Sequence, residues 1–490
     1  MLSAVPDHDN PLRAMRDTAR HIFTFALQNA SVASAFARHV HCERGILRIS
    51  EDLFDLNSYA RVFVVSIGKA AHTMAAALAA QTGNRLEGIV ASPVEVESQI
   101  HGFRYFRGDH PTPTAESIRA ADAIFKSLRA LDAASLVIFM ISGGGSSIIE
   151  KPIDDAISLD DLIATYRALV HSGAPIAEIN AIRKHLSAIK GGRLAQAAYP
   201  AQQVSILVSD VPDNTPDALA SGPTMPDSTS IHDCETIAAK YGLLEQFPTS
   251  TANLFREHAL EETPKSDDPS FVRARWWTIL SNKVALDEAA KAAQAAGFQV
   301  EIDNSCDDWE YEKAADYLVN RLRALRTDSF KSAEGTKSAE GAKSAEGAKS
   351  AEGAPLKPSF GLSGNSPTTR TSPNQASRGI CLLSGGEVTV TVRNGGTGGR
   401  NQQFALACAE KIAGDNITIL SAGTDGIDGN SPAAGAVVDG TTVERAGGVM
   451  SVREALARFD AYPLFTRLGD EITTGPTGNN LRDLRILLAN

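Results

Sequence analysis

The stretch LVIFMISGGGSS, Leu136 to Ser147, runs from an unbroken apolar segment straight into a loop of small residues. A short continuous apolar run of this kind suits a strand buried on both faces of a parallel sheet. Three successive glycines lose much chain entropy on folding, so they point to a backbone that a ligand or another backbone approaches closely. The pattern recurs at four further places. Val62 to Val65 leads into Ser66-Ile67-Gly68-Lys69-Ala70, and Val204 to Val208 into Ser209-Asp210-Val211-Pro212-Asp213-Asn214. Ile380 to Leu383 leads into Ser384-Gly385-Gly386-Glu387, and Ile417 to Leu420 into Ser421-Ala422-Gly423-Thr424-Asp425-Gly426. Open α/β sheets bind ligands beyond the carboxyl ends of their strands. Loops of Gly, Ser, Thr and Asp there offer N–H groups to phosphates and acids to metals or protons. The chain reads as an enzyme for a small phosphorylated or phosphate-donating ligand.

Outward from these strands the sequence alternates strand and helix signals, which predicts βαβ units and a parallel sheet. Helical spacing covers 12–40. Strands are expected at 62–67, 88–91, 136–141 and 204–208. Helices are expected at 69–80, 115–131 behind an N-cap at Thr114, 159–172 and 176–198. A second α/β pattern begins near Arg275, with strands at 276–281, 298–302, 380–384, 387–393, 417–422 and 436–439 and helices at 284–296, 311–326 and 401–413. The expected boundaries are 1–265 for the first domain and 266–490 for the second, interrupted by an insertion at about 328–378. That insertion carries four KSAEG copies at a period of six residues, starting at Lys331, Lys337, Lys343 and Lys349. With no apolar face it cannot bury a core, so a disordered loop is expected.

The chain's 490 residues fit two or three domains, and the 43% hydrophobic content supplies sizeable cores. A formal net charge of −11 argues against a nucleic-acid partner. The five scattered cysteines form no CxxC pair and read as reduced thiols. The first residues lack an apolar signal core, and no run approaches the roughly 20 apolar residues of a membrane span. A cytoplasmic protein without membrane partners is expected.

Several loop residues are candidates for chemistry. Lys69, directly after Gly68 at a strand-to-helix junction, could reach a phosphate or be a surface lysine. Its loop is not a Walker A motif, since Phe63 and Ala70 stand where Gly and Ser/Thr are required. Gly143, Gly144, Gly145, Ser146 and Ser147 could cradle phosphate or simply make a tight turn, and no GxGxxG follows a strand here. Asp210 and Asp213 flank Pro212 and could position a hydroxyl or hold magnesium, with Asx turns as the plainer role. Asp425 and Asp428, in GTDGIDG, repeat that spacing and are candidates for magnesium or ribose. Arg183 and Lys190, seven residues apart on the expected helix 176–198, share a face that suits a carboxylate or phosphate, or else solvent. Arg400, in GGTGGRNQ, is a plausible anion clamp. His72, His110 and His171 have no metal-ligand spacing.

Ten segments in order resemble the class II glycerate kinases, whose C-terminal part is the MOFRL domain. They are SIGKAA (66–71), GDHPTP (108–113), SGGGSS (142–147), INAIRKHLSAIKGGRLA (179–195), SDVPDN (209–214), SGPT (221–224), SGGE (384–387), GGRNQ (398–402), GTDGIDG (423–429) and GPTGNN (475–480). The resemblance spans nearly the whole chain except the repeat insertion. It implies an N-terminal Rossmann-like α/β/α domain with a mostly parallel sheet, a smaller C-terminal α/β domain and an active site in the cleft between them. It implies phosphorylation of D-glycerate by ATP and Mg2+ to 2-phosphoglycerate; the sequence leaves a monomer or a homodimer open. The family's functional lysine, aspartate and arginine fall on Lys69, Asp210 and Arg400. On this reading Gly143 to Ser147 and Asp425 bind the nucleotide, Arg183, Lys190 and Asn214 bind the acceptor, and Asp213 and Asp428 hold the metal. The alternatives are a nicotinamide-dependent hydroxypyruvate reductase, since some family members carry that label, and a kinase for another 2-hydroxy or sugar acid.

Overall fold

A computed structural model describes residues 11–83, 86–343, 379–392 and 395–490, with the backbone alone for 328–343. The chain opens with two helices, Pro11–Asn29 and Val32–His39, where one was expected. The break falls at Ser31, whose extended backbone and hydroxyl, accepting from the Ser34 N–H, cap the second helix. An antiparallel meander follows: β1 (Val40–Glu43), β2 (Ile46–Ile49) and β3 (Asp52–Asp55).

The first large sheet is built from β4 (Arg61–Ile67), β5 (Glu87–Ser92), β6 (Phe103–Arg107), β7 (Ser135–Ser142), β8 (Gln202–Val208) and β9 (Ala274–Leu280). Its order is β6-β5-β4-β7-β8-β9, and every pairing is parallel. β7 lies centrally and every one of its residues is buried, which is why its sequence is an unbroken apolar run rather than an alternating one. Chain order reverses between β4 and β7, so the loops after these two strands open a crevice of the kind α/β enzymes use.

The second sheet has β10 (Gln299–Ile302), β11 (Ile380–Ser384), β12 (Ile417–Gly423), β13 (Gly435–Asp439), β14 (Glu471–Ile472) and β15 (Asp483–Ala489). Its order is β10-β11-β15-β12-β13-β14, parallel only between β10 and β11. The expected two α/β domains are therefore present, the first with a parallel sheet and the second with a mixed one.

Several expectations need correction. The strand at 274–280 closes the edge of the first sheet, so that domain extends past residue 265 to about Leu280. The helix Pro11–Asn29 belongs with the second domain, because Met15, Ile22 and Phe23 pack with Leu286, Leu420 and Ile486. The expected helix 176–198 is two helices, Ile176–His185 and Arg193–Ala198. Gly191 and Gly192 between them have φ of +56° and +85°, which a helix cannot accommodate. Over 387–392, the described part of the strand expected at 387–393, no strand forms, and Thr389 makes only an isolated bridge to Glu310. The helix that starts at Tyr311 runs to Lys343, so the first part of the insertion is helical rather than disordered. The remainder of the insertion lies outside the described residues. No helix among the described residues is long and apolar enough to cross a membrane, and all five cysteines are unpaired.

Candidate functional site

The site begins where β4 and β7 end. The Ser142 hydroxyl donates to the Ile67 carbonyl at 3.2 Å and accepts the Ala70 N–H at 3.0 Å, tying the two strand ends together. The Lys69 N–H donates to the Gly143 carbonyl at 2.9 Å. Gly68 has φ +115°, and a Cβ there would lie 2.4 Å from the Ser142 carbonyl oxygen, so only glycine fits. This junction leaves the Lys69 side chain exposed above the crevice.

Asp210 follows β8, the strand beyond β7, and its carboxylate lies directly on Gly143. A Cβ on Gly143 would come 1.9 Å from Asp210 Oδ2. Burial raises the Asp210 pKa above the ordinary carboxylate range, against the pull of Lys69 and Arg482. The same Lys69 charge, added to burial, lowers the pKa of His110, whose Nδ1 lies 3.0 Å from the Ser147 hydroxyl. Lys69, His110, Asp210 and the glycine turn thus face one space. The turn leaves the N–H groups of Gly144, Gly145 and Ser146 without a backbone acceptor among the described residues.

The second domain supplies the opposing wall. Arg400 starts the helix Arg400–Lys411 and donates from Nε and Nη2 to Asp483, at 2.7 and 3.0 Å. Its Nη2 also lies 2.8 Å from Glu387 Oε1, and these acids raise its pKa above an arginine's already high value. Burial, and then Asp483, raise the pKa of Glu387, and the Asp210 charge adds to that effect across the domain boundary. Asn480 closes the gap, with Nδ2 3.4 Å from Asp210 Oδ2. Arg482 is held by Asp307 through two bonds of 2.6 and 2.7 Å. Asp307 also accepts the Glu387 N–H at 3.0 Å, while Asn304 and Asn282 accept the N–H groups of Gly385 and Gly386. Loop 384–387 is therefore fixed from beneath.

The other expected residues divide. Arg183 stacks over the Tyr166 ring at 4.8 Å and lines a cavity of about 210 Å³ with Ser146, Ser147 and Lys190. Lys190 does not share a helix face with Arg183, and its charge is already paired with buried Glu150. Glu150 also accepts from Tyr166 and Ser187 at 2.7 and 2.5 Å. That leaves Arg183, with the exposed Arg167, as cations of this cavity whose charge the pair does not cancel.

Asp428 is buried and accepts the N–H groups of Asn401 and Gln402 at 3.0 and 2.9 Å, so it caps the helix that carries Arg400 rather than facing a metal. Burial pushes its pKa up to about 7. Asp425 keeps one oxygen on the Ile427 N–H and lines a second cavity beside Arg400. Asp213 and Asn214 are exposed on their loop and join none of these groups. No cluster of three or more His, Cys, Asp or Glu side chains suited to a metal occurs among the described residues. Magnesium bound with nucleotide needs only one or two protein carboxylates, however, and part-exposed Glu387 meets that requirement.

Sequence reasoning passed over Glu387, Asn480, Arg482, Asp483 and His110 as site residues. Glu387, Asn480 and His110 lie inside quoted motifs and could have been drawn from them. Arg482 and Asp483 carried no local signal, because their roles depend on where β15 sits in the sheet.

A parallel sheet with a glycine turn at its reversal point, and lysine, arginine and carboxylates meeting across two domains, defines an α/β enzyme acting on anionic substrates. A family model described as a domain of unknown function, DUF4147, matches residues 18–256, and the MOFRL family model matches 380–483. A D-glycerate 2-kinase of Thermotoga maritima is 32% identical, over 87% of this chain and 90% of its own length. A human glycerate kinase is 30% identical over 97% of this chain and 93% of its own. A relative from Agrobacterium vitis is 36% identical over 87% of both chains, and its name, hydroxypyruvate reductase, is a provisional one. The crystal structure of a glycerate kinase from Thermotoga maritima superimposes with a TM-score of 0.76 at 30% identity, covering 98% of this chain and 100% of that one. The chain belongs to the class II glycerate kinase family.

Proposed function

We propose that this protein is a glycerate 2-kinase, transferring the terminal phosphoryl group of ATP to the 2-hydroxyl of D-glycerate to give 2-phosphoglycerate and ADP. The observation that carries the reading is the meeting of Lys69 and Asp210 from one domain with Glu387 and Arg400 from the other. Phosphoryl transfer is mostly positioning and charge stabilisation, and it needs cations fixed around the transferring group. Lys69 and Arg400 supply them. Asp210, with its raised pKa, is suited to take the hydroxyl proton as the new O–P bond forms and the bond to ADP breaks. Arg183 holds the acceptor carboxylate. Magnesium, when bound with the nucleotide, neutralises phosphate charge, and Glu387 is the carboxylate placed to hold it.

The test is to supply purified protein with Mg-ATP and D-glycerate and couple the product to enolase without a mutase. Immediate phosphoenolpyruvate is the expected outcome. ADP release without that signal would mean another position or another acceptor acid. The name of the Agrobacterium relative favours a second reading, reduction of hydroxypyruvate by NAD(P)H. The lack of a GxGxxG turn speaks against it, and no hydroxypyruvate-dependent NADH oxidation is expected.

A further inference from the structure

Two cavities flank the charged cluster, one in each domain, and they differ in size and lining. The one at Ser146 and Ser147 is about 210 Å³, below the usual range for a nucleotide-sized ligand. The other, in the second domain, is about 450 Å³ and falls within that range. Its walls include Val390, Val392, Ile427 and Phe459, and Arg400 stands among its lining residues. Val392 and Ile427 are 65% and 48% exposed, so they leave apolar surface open on a polar, glycine-rich rim.

The rim is a built structure. Asn430 holds it by accepting the Gly398 N–H at 2.9 Å and donating to the Gly396 carbonyl at 3.1 Å. Gly399 has no room for a side chain, since a Cβ there would lie 2.4 Å from Asp428. Asp425 uses Oδ1 on the Ile427 N–H, and no hydrogen bond occupies its Oδ2 among the described residues. Arg400 spends Nε and Nη2 on Asp483 and Glu387, while Nη1 makes no hydrogen bond among the described residues. The cavity lining therefore offers apolar side chains, a carboxylate oxygen and a guanidinium nitrogen. A base, a ribose hydroxyl and a phosphate chain present the matching chemistry.

We propose that this cavity takes the nucleoside half of the phosphoryl donor, with the base between Val392, Ile427 and Phe459 and the ribose on Asp425. The donor then approaches from the second domain. The acceptor occupies the smaller cavity at Arg183, and Lys69, Asp210 and Arg400 lie between them. This assignment rests on the kinase reading.

The test uses the full chain and measures affinity for fluorescent Mg-ADP without acceptor, together with KM for D-glycerate. Ile427→Asp places a charge in the slot and should weaken ADP binding by about tenfold or more, the equivalent of losing ~1.4 kcal/mol of apolar contact, while KM for glycerate barely moves. Val170→Asp, in the smaller cavity, should raise KM for glycerate and leave ADP affinity unchanged. Unchanged ADP affinity in Ile427→Asp, or its loss in Val170→Asp, overturns the assignment. Photolabelling of the wild-type chain with 8-azido-ATP gives an answer independent of either variant. Label on the segments around Val392 or Ile427 supports the proposal, and label on the helix Leu159–His171 or elsewhere refutes it. Should the wild-type chain bind no ADP at all, the kinase reading falls and the proposal with it.

Discussion

Lys69 and Asp210 approach each other because of strand order. β4 and β8 are separated only by β7, so their terminal loops rise on either side of the glycine turn that follows β7. Gly143 must be bare for the Asp210 carboxylate to lie there. Lys69 is exposed and contributes nothing to the core, so Lys69→Ala should lower kcat by about 10²–10³, the usual cost of removing one preorganised charge-stabilising group, with no change in Tm. Near-normal turnover would remove Lys69 from the mechanism. Asp428 makes a different kind of prediction. Its folded-state pKa of about 7 lies above the ordinary value of ~4, so the protonated carboxyl favours the folded chain. That contribution is complete below pH ~4 and is lost as pH rises toward 7, at up to ~1.4 kcal/mol per unit. Compared with Asp428→Asn, the wild type should therefore lose Tm between pH 5 and pH 8. A difference in Tm that does not vary with pH would show that the helix N-terminus keeps this carboxylate ionised throughout.

Most buried strands could be read from the sequence, because a strand covered on both faces must be apolar along its whole length. β7, β8, β11 and β12 fell within a residue or two of expectation. What could not be read was set by partners remote in sequence. Gly191-Gly192 could be read as a helix end, but the helix that carries Arg183 stops earlier, at His185, and the turn at the glycines packs Gly191 against Thr263 and Gly192 against Phe271, partners remote in sequence. Arg183 and Lys190 went together on paper, whereas the fold gives Lys190 to Glu150 and leaves Arg183 to the cavity. Arg400, Lys69 and Asp210 were legible from their loops, but the acids that orient Arg400 were not. For the repeat-bearing helix, Leu322 and Leu325 are the last of the described side chains that reach the core, and both precede the KSAEG copies. Deleting 331–353 should leave kcat and Tm nearly unchanged. A large drop in either would show that the repeats are structural.

The two domains are interlaced at the scale of the molecule. The first helix lies on the second sheet, while Leu481, just before β15, packs into the first domain's core with Ile279 and Leu280. Asn479 reaches back to the Ala30 carbonyl at 2.8 Å, at the break between the first two helices. Phe23, fully buried in the second domain's core, should therefore report on that domain although it lies near the start of the chain. Phe23→Ala should cost ~3–5 kcal/mol, and hydrogen exchange should show the loss first in β12 and β15. A loss confined to β4–β8 would contradict this packing.

The central place of β15 also bears on how the protein is made. β11 and β12 emerge from the ribosome with no contact to each other, because the strand that joins them is the last of the sheet to be translated. Until it arrives, two apolar strands wait with open edges, exposed to pairing with the wrong neighbour. The arginine, acids and asparagine of the second wall stay scattered over the same interval. A nascent chain cut short before Asp483 would be not a weakened kinase but an aggregation-prone intermediate, and quality control would meet it before any substrate did.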